Sequence, residues 1–425
     1  MSITERTTPG PAQAGSDFSG DTRATTVSGA LGEYRDKIRG GDMGPLPAVL
    51  GLIVLTVVFT VLRPETFPST GNIANLLVQA GAICVLAMGL VPVLLLGDID
   101  LSAGVAGGAS AGVMAILITD RGLPWYVGVL GALLTGMFIG AVIGTLVARL
   151  GIPSFVVTLA FFLALQGITL KLIGQGGTVP VRDTVIVGIA NRNLPVTAGW
   201  VLAVASIVVY ALLALLRYRS QAVAGLVRSP LAVVLIRIAV LAVIILALAY
   251  VLNLNRARNP NFTLQGIPYV VPVVGVLLIG WTFVFSRTRY GRHIYAIGGN
   301  TEAARRAGIN VPLLRTSVFV ICSGMAALSG IVAASRLNSV TPDAGAGNTL
   351  LYAVGAAVIG GTSLFGGKGK MRDAIIGGLV VAVIANGLGL LGQKADVNYL
   401  VTGGVLLLAA SVDAISRRRR SAAGR

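Results

Sequence analysis

Tyr290-Gly-Arg-His-Ile-Tyr-Ala-Ile-Gly-Gly-Asn-Thr-Glu-Ala-Ala-Arg-Arg-Ala-Gly-Ile309 is a polar, glycine-punctuated segment set between two long apolar runs, 269–286 and 316–334. A loop that only joined two apolar helices would need no such content. Arg287, Arg289, Arg292, Arg305, Arg306 and Arg315 crowd into and around it, and clustered positive charge beside an apolar span marks a cytoplasmic loop. Within it, Thr301 to Ala307 reads as a short helix. Asn300 or Thr301 is the N-cap, and Glu302 stands in the first turn, where negative charge meets the positive end of the helix dipole. Gly308 is the C-terminal stop. A short helix held out to the cytoplasm by apolar spans is a docking surface for a soluble partner; the competing reading is an ordinary return loop.

Outward from this segment the chain is apolar. Of 425 residues, 55% are hydrophobic and 12% are charged, against about 25% charged in soluble domains. Apolar runs of about 20 residues recur, the length a helix needs to cross hydrocarbon, and only helices and closed barrels can hide their backbone there. The expected fold is therefore all-α and polytopic. Twelve spans are read at 46–62, 73–96, 104–119, 127–148, 155–173, 197–216, 231–252, 269–286, 316–334, 350–362, 374–391 and 397–413. With the N-terminus inside, 24 of the 33 Lys and Arg fall in cytoplasmic segments and 9 on the other side, which favours both termini in the cytoplasm and an even span count. Trp125, Tyr126 and Trp200 stand at span ends, as interfacial belt residues do. The formal net charge of +17 does not indicate nucleic acid, because it is confined to alternate loops. Residues 1–43 read as a disordered cytoplasmic tail, 44–413 as the membrane domain and 414–425 as a basic tail. Segment 217–267, with one span and a polar stretch at 253–261, looks like added material.

Few residues offer chemistry. One histidine (His293) and two cysteines in apolar runs (Cys84, Cys322) exclude a Cys/His metal site. Gly360-Gly-Thr-Ser-Leu-Phe-Gly-Gly-Lys-Gly369 resembles a phosphate loop only at a glance. Thr362 stands where that motif needs glycine, and Gly369 stands where Ser or Thr should meet magnesium. No nucleotide cofactor is expected, and Thr362 and Ser363 belong to a glycine-rich helix break. In Gly97-Asp-Ile-Asp-Leu-Ser-Ala-Gly104, carboxylates interrupt an apolar region. Charge at membrane depth is costly and functional by default, so Asp98, Asp100 and Ser102 are candidates for a helix break lining a path. The competing reading is that Asp100 caps the next span. Asn338, in the polar stretch 335–345, is a candidate for a substrate entrance or a solvated loop, and Asn386 for an interhelical bond facing the bundle interior. Gly140 and Gly144 form a GxxxG pair explained by close packing within the bundle. A faint repeat lays 95–104 on 358–367, matching Gly97, Leu101 and Gly104 to Gly360, Leu364 and Gly367, as in transporters built from two related halves.

Gly97–Gly104, Arg287–Arg305, Gly308-Ile-Asn310, Ile359–Gly367 and Pro153-Ser-Phe-Val-Val-Thr-Leu159 together resemble the permease subunit of a bacterial ATP-binding cassette importer of the ribose/xylose type, over roughly 65–413. The extra span in 217–267 makes the chain most similar to xylose-type permeases. The resemblance implies a homodimeric pore in the plasma membrane that is not itself an enzyme. It implies a partner ATPase and an extracytoplasmic sugar-binding protein. It also implies an ATPase-coupling segment comprising Asn300, Thr301, Glu302, Ala303, Ala304, Arg305, Arg306 and Gly308. Three departures stand out: Asp98 where the family usually has a second glycine, Asn348-Thr-Leu-Leu351 where an acidic residue usually opens the next span, and Lys370-Met-Arg-Asp373 in place of a small, glycine-containing stretch. An ion-driven secondary transporter, or a permease for another small polar solute such as an amino acid or nucleoside, are the alternatives. The first would need ionisable groups deep in several spans.

Overall fold

The computed structural model of this chain describes Gly29, Gly32 and residues 44–224, 230–257, 259, 261–394, 396–397, 399–405, 407–408, 411 and 414. The two tails, and part of the last expected span at 397–413, lie outside the described residues. Helices occupy the other eleven expected spans. They are α1 (Leu46–Leu62), α2 (Thr70–Leu95), α3 (Ala103–Ala115, continued by a π-helical turn Ile116–Asp120), α4 (Trp125–Ala148), α5 (Ser154–Ile173), α7 (Val196–Val223), α8 (Leu231–Asn253), α9 (Val270–Arg287), α12 (Val311–Leu337), α13 (Thr349–Gly360) and α14 (Met371–Leu390). Nine of them, among the described residues, are long and apolar enough to cross a membrane; α1 and α13 are shorter apolar helices.

The chain divides into two compact units. Residues 202–247 hold most of α7 and α8, and their large apolar side chains, from Val204 to Leu246, are mostly exposed. The other described helices form the main unit. Here α12 is the central rod, packed against α4, α2 and α3, while α14 packs on α13 and α2. Glycine decides the crossing of α4 and α12. A Cβ on Gly140 would lie 2.3 Å from the Phe319 carbonyl oxygen, and one on Gly144 would lie 2.8 Å from Thr316 Cα. The GxxxG pair therefore serves α4–α12 packing within one chain, as small residues do where helix backbones approach.

Five small elements lie outside the apolar spans. Helix α6 (Thr184–Asn191) is capped by Asp183, whose carboxylate accepts from Val185 N and Ile186 N at 2.9 and 3.1 Å. Strands β1 (Val179–Pro180) and β2 (Ser339–Val340) pair antiparallel. At the opposite end of α12, α10 (Arg289–Gly299) precedes α11 (Thr301–Arg306). The basic connector is thus two helices rather than one: α10 buries Ile294 and Ile297 and exposes Arg289 and Arg292, the 3–4 spacing of an amphipathic helix.

Space at α4–α12 gives a direct expectation. Gly140→Leu drives a side chain into the backbone of α12 and should abolish folded yield in detergent, read by size-exclusion profile and melting. Gly167→Ala and Gly280→Ala, where nothing lies within 4 Å, should melt within a few degrees of the parent. Equal behaviour of Gly140→Leu and the two controls would refute this packing.

Candidate functional site

Two features at opposite ends of α12 define the site. The first is a junction where chain breaks meet. Helix α2 ends with Gly97 at φ 78°, with Asp98 N donating to Val93 O (3.1 Å) and Gly97 N to Leu94 O (2.9 Å). Helix α13 ends in the same way: Gly361 at φ 119°, with Thr362 N to Ala357 O and Gly361 N to Val358 O, both 3.0 Å. This is the glycine-terminated Schellman arrangement. Gly361, not the Gly360 matched in the faint repeat, is the residue that ends its helix as Gly97 does. The two breaks touch, since Gly367 N donates to Leu95 O at 2.8 Å. A Cβ on Gly298 of α10 would lie 1.9 Å from Leu95 O, so α10 is locked over both.

Charge closes the junction. Asp98, buried in the α2–α3 break, accepts from Arg315 Nε at 2.6 Å and Arg315 Nη2 at 2.5 Å. Arg315 sits in the first turns of α12, so a bidentate ion pair ties that helix to the break. Asp100 is fully buried, and its Oδ1 accepts from Ser102 N (2.9 Å) and Ser102 Oγ (2.6 Å) at the start of α3. Its Oδ2 accepts no hydrogen bond, and the buried Cys322 thiol lies beside the carboxyl. Across the junction, buried Asp373 Oδ2 accepts from Lys370 N at 2.7 Å and Thr362 Oγ1 at 3.5 Å, opening α14. Ser363 is buried in the same turn, where its N donates to Lys368 O at 2.8 Å.

Helix α11 projects beside this junction. Asn300 Oδ1 caps it by accepting from Ala303 N (2.9 Å), so Asn300 rather than Thr301 is the N-cap. Ile309 N to Ala304 O (3.1 Å) and Gly308 at φ 83° end it. Ala304 is buried and anchors the helix, while Thr301, Glu302, Ala303, Arg305 and Arg306 are exposed. Glu302 bridges to Arg305 at 2.9 Å and Arg306 at 3.1 Å. Those two guanidinium groups hold its carboxyl below the usual range.

The second feature is a cavity of about 300 Å³ at the other end of α12. Its walls are mostly small residues, among them Gly104, Gly107 and Gly108 of α3 and Ala326, Gly330 and Ala333 of α12. Gln79, Arg336, Thr341, Thr349 and Tyr352 supply polar groups. The sequence-derived path residues Asp98, Asp100, Ser102, Asn338, Thr362, Ser363 and Asn386 do not border it. Five of them belong to the junction. Asn338, left-handed at φ 56°, accepts from Asn191 Nδ2 at 3.1 Å and closes the turn before β2. Asn386 exchanges two amide hydrogen bonds of 2.9 Å with Asn72, tying α14 to the start of α2. The polar stretch at 335–345 does contribute, through Arg336, Ser339, Thr341 and Gly345. The glycine wall of α3 gave no chemical signal in the sequence.

The family described as branched-chain amino acid transport system / permease component matches residues 72–410. The chain is 36% identical to the xylose transport system permease protein of Escherichia coli, over 87% of this chain and 92% of that protein. It is 35% identical to the xylose transport system permease protein of Haemophilus influenzae, over 90% and 99%. It is 31% identical to the ribose import permease protein of Escherichia coli, over 86% and 92%. No solved structure gives a significant match.

The junction predicts non-additivity. Asp98→Ala and Arg315→Ala should each destabilise the purified chain by about 1–3 kcal/mol, and the double variant no more than the worse single, because each leaves the other charge uncompensated. Additive melting shifts would dismiss the pair as stabilising. At Asp100, Asn can still cap and Leu cannot, so Asp100→Leu should cost about 1 kcal/mol more than Asp100→Asn, read in the same melts.

Proposed function

This chain belongs to the permease-component family of branched-chain amino acid transport systems, and from that premise we propose that it moves a xylose-like monosaccharide inward across the plasma membrane. It is the membrane subunit of a sugar ATP-binding cassette importer. It takes the sugar from an extracytoplasmic binding protein into the cavity beside α3 and α12, and it takes work from an ATPase subunit that grips α11 through Glu302, Arg305 and Arg306. Two copies form the pore. Each has twelve spans and cytoplasmic termini, and its two halves carry the α2–α3 and α13–α14 breaks as equivalent elements.

The observation that carries this reading is the connection between the two ends. Helix α11 runs through Gly308 straight into α12, which spans about 40 Å at 1.5 Å per residue and lines the cavity with its far half. A push on α11 is applied to α12 and, through Arg315–Asp98, to the α2–α3 break. The cavity's sparse polar lining suits a path that must release what enters it, leaving selectivity to the delivering protein. These relatives are sugar permeases, which favours a sugar over the amino acids in the family's description, and identity to the two xylose permeases exceeds that to the ribose permease, which favours xylose over ribose.

Ion-driven transport finds little support. Among the described residues the buried acids are Asp98, Asp100 and Asp373. One is ion-paired and the other two accept hydrogen bonds at helix starts; none forms a relay.

Vesicles carrying the full chain, its ATPase and the binding protein should take up labelled xylose with ATP, in preference to ribose, galactose and glucose, and an uncoupler should change nothing while ATP is clamped. Glu302→Arg should abolish that uptake without unfolding the chain, because each exposed ion pair it removes is worth at most about 1 kcal/mol. Normal ATP-driven uptake by Glu302→Arg would remove α11 from coupling. Uptake that collapses with the ion gradient would establish secondary transport instead.

A further inference from the structure

We propose that this permease binds the phosphate headgroup of an anionic membrane lipid in a basic cavity between α9, α10 and α14. The cavity holds about 500 Å³ and is lined by Thr282, Phe285 and Ser286 from the end of α9, Arg292 and Tyr295 from α10, and Lys370, Met371 and Arg372 from the start of α14. It lies apart from both the sugar cavity and the exposed face of α11, and the transport reading uses none of its residues.

Three properties point to an amphiphilic anion. First, the wall carries three cations and no acid. One carboxylate stands behind the wall, with Asp373 3.9 Å from Arg372 Nε, so three cations face a single negative charge and the wall stays net positive. Second, the floor is apolar: Phe285 and Met371 are buried. A free inorganic ion gains nothing from such a floor, whereas a glycerol backbone and upper acyl chain do. Third, the cavity continues a bare apolar surface, because Val276, Ile279 and Phe283 on α9 are 70%, 70% and 62% exposed. Basic pockets where spans meet the polar end of the bundle recruit anionic headgroups. Here the guanidinium groups of Arg292 and Arg372 and the Lys370 ammonium would donate to phosphate oxygens. The site is preformed, because Tyr295 Oη donates to Gly369 O at 2.6 Å and pins α10 to the strand entering α14.

The test uses the full-length chain, delipidated in detergent and examined by native mass spectrometry with phosphatidylglycerol, phosphatidylcholine or inorganic phosphate. Phosphatidylglycerol should be retained over phosphatidylcholine. Each cation removed should weaken it about fivefold, so Arg292→Gln/Lys370→Gln/Arg372→Gln should bring it to the phosphatidylcholine level. Arg63→Gln/Arg121→Gln/Arg182→Gln, outside the cavity, should change nothing. Photo-crosslinkable phosphatidylglycerol on the unaltered chain should mark 282–295 and 370–372, which decides the matter even where the triple variant fails to fold. Undiminished retention by the triple variant, crosslinks confined elsewhere, or full displacement by inorganic phosphate would overturn the proposal. So would loss of the ATPase subunit with lipid retention intact, since that would give the cavity to an acidic protein surface.

Discussion

An interrupted helix is tolerable at membrane depth only where protein groups take over the hydrogen bonds that water cannot supply. The gap between α2 and α3 meets most of this constraint, with Asp100 Oδ2 the exception, and much of the molecule follows from how. The end of α2 is closed by its own Schellman bonds. The start of α3 is met by Asp100, the remaining carbonyl of Leu95 receives the amide of Gly367 from the other half of the chain, and Asp98 receives Arg315. Each solution recruits a distant segment. The break therefore fixes the positions of 361–370, of α10 across Gly298 and of α12 through its first turns.

That arrangement makes the junction a mechanical node. Three glycines, Gly97, Gly366 and Gly367, adopt φ between 71° and 86° there, and Gly298 leaves no room for a methyl group. Little slack remains, so α10 and α11 cannot shift without shifting either the break or α12. Close-packed contacts transmit displacement rather than absorb it. The cavity end is built differently. Its glycine walls press backbone on backbone, for a Cβ on Gly107 would lie 2.5 Å from Ala326 O and one on Gly108 1.8 Å from Ala344 O. Directional bonds fix the α11 end, and close backbone packing shapes the cavity end.

The sequence spoke clearly where a single physical rule decided. Hydrophobic length located eleven helices, missing the last seven residues of α7 and the first five of α12, and capping chemistry placed α11. It was weaker where two distant segments decide together. Asp98 read as an exceptional charge at membrane depth, yet its partner Arg315 sat among six arginines that all looked like loop charge. Asn386 gave no hint of Asn72. Helix α10 was hidden because its apolar residues are few and its arginines dominated the reading. The cavity was the least legible feature, because its wall is made of residues selected for what they lack, and Gly104, Gly107 and Gly108 carry no chemistry of their own.

The three departures from the family's usual pattern now divide in an informative way. Asp98 and the Lys370–Asp373 segment both lie at the junction, where Asp98 holds Arg315 and Asp373 opens α14. In both places a carboxylate makes a specific bond. Neither segment lines the cavity beside α3 and α12. The third departure lies at the other end: Thr349 borders the cavity, and Asn348 Nδ2 donates to the Tyr352 hydroxyl at 3.4 Å. Where the resemblance leads one to expect an acidic residue, the neutral Asn348-Thr349 pair gives this wall no charged acceptor. Of the three departures, 348–352 is therefore the one that reaches the cavity wall, through Thr349 and Tyr352.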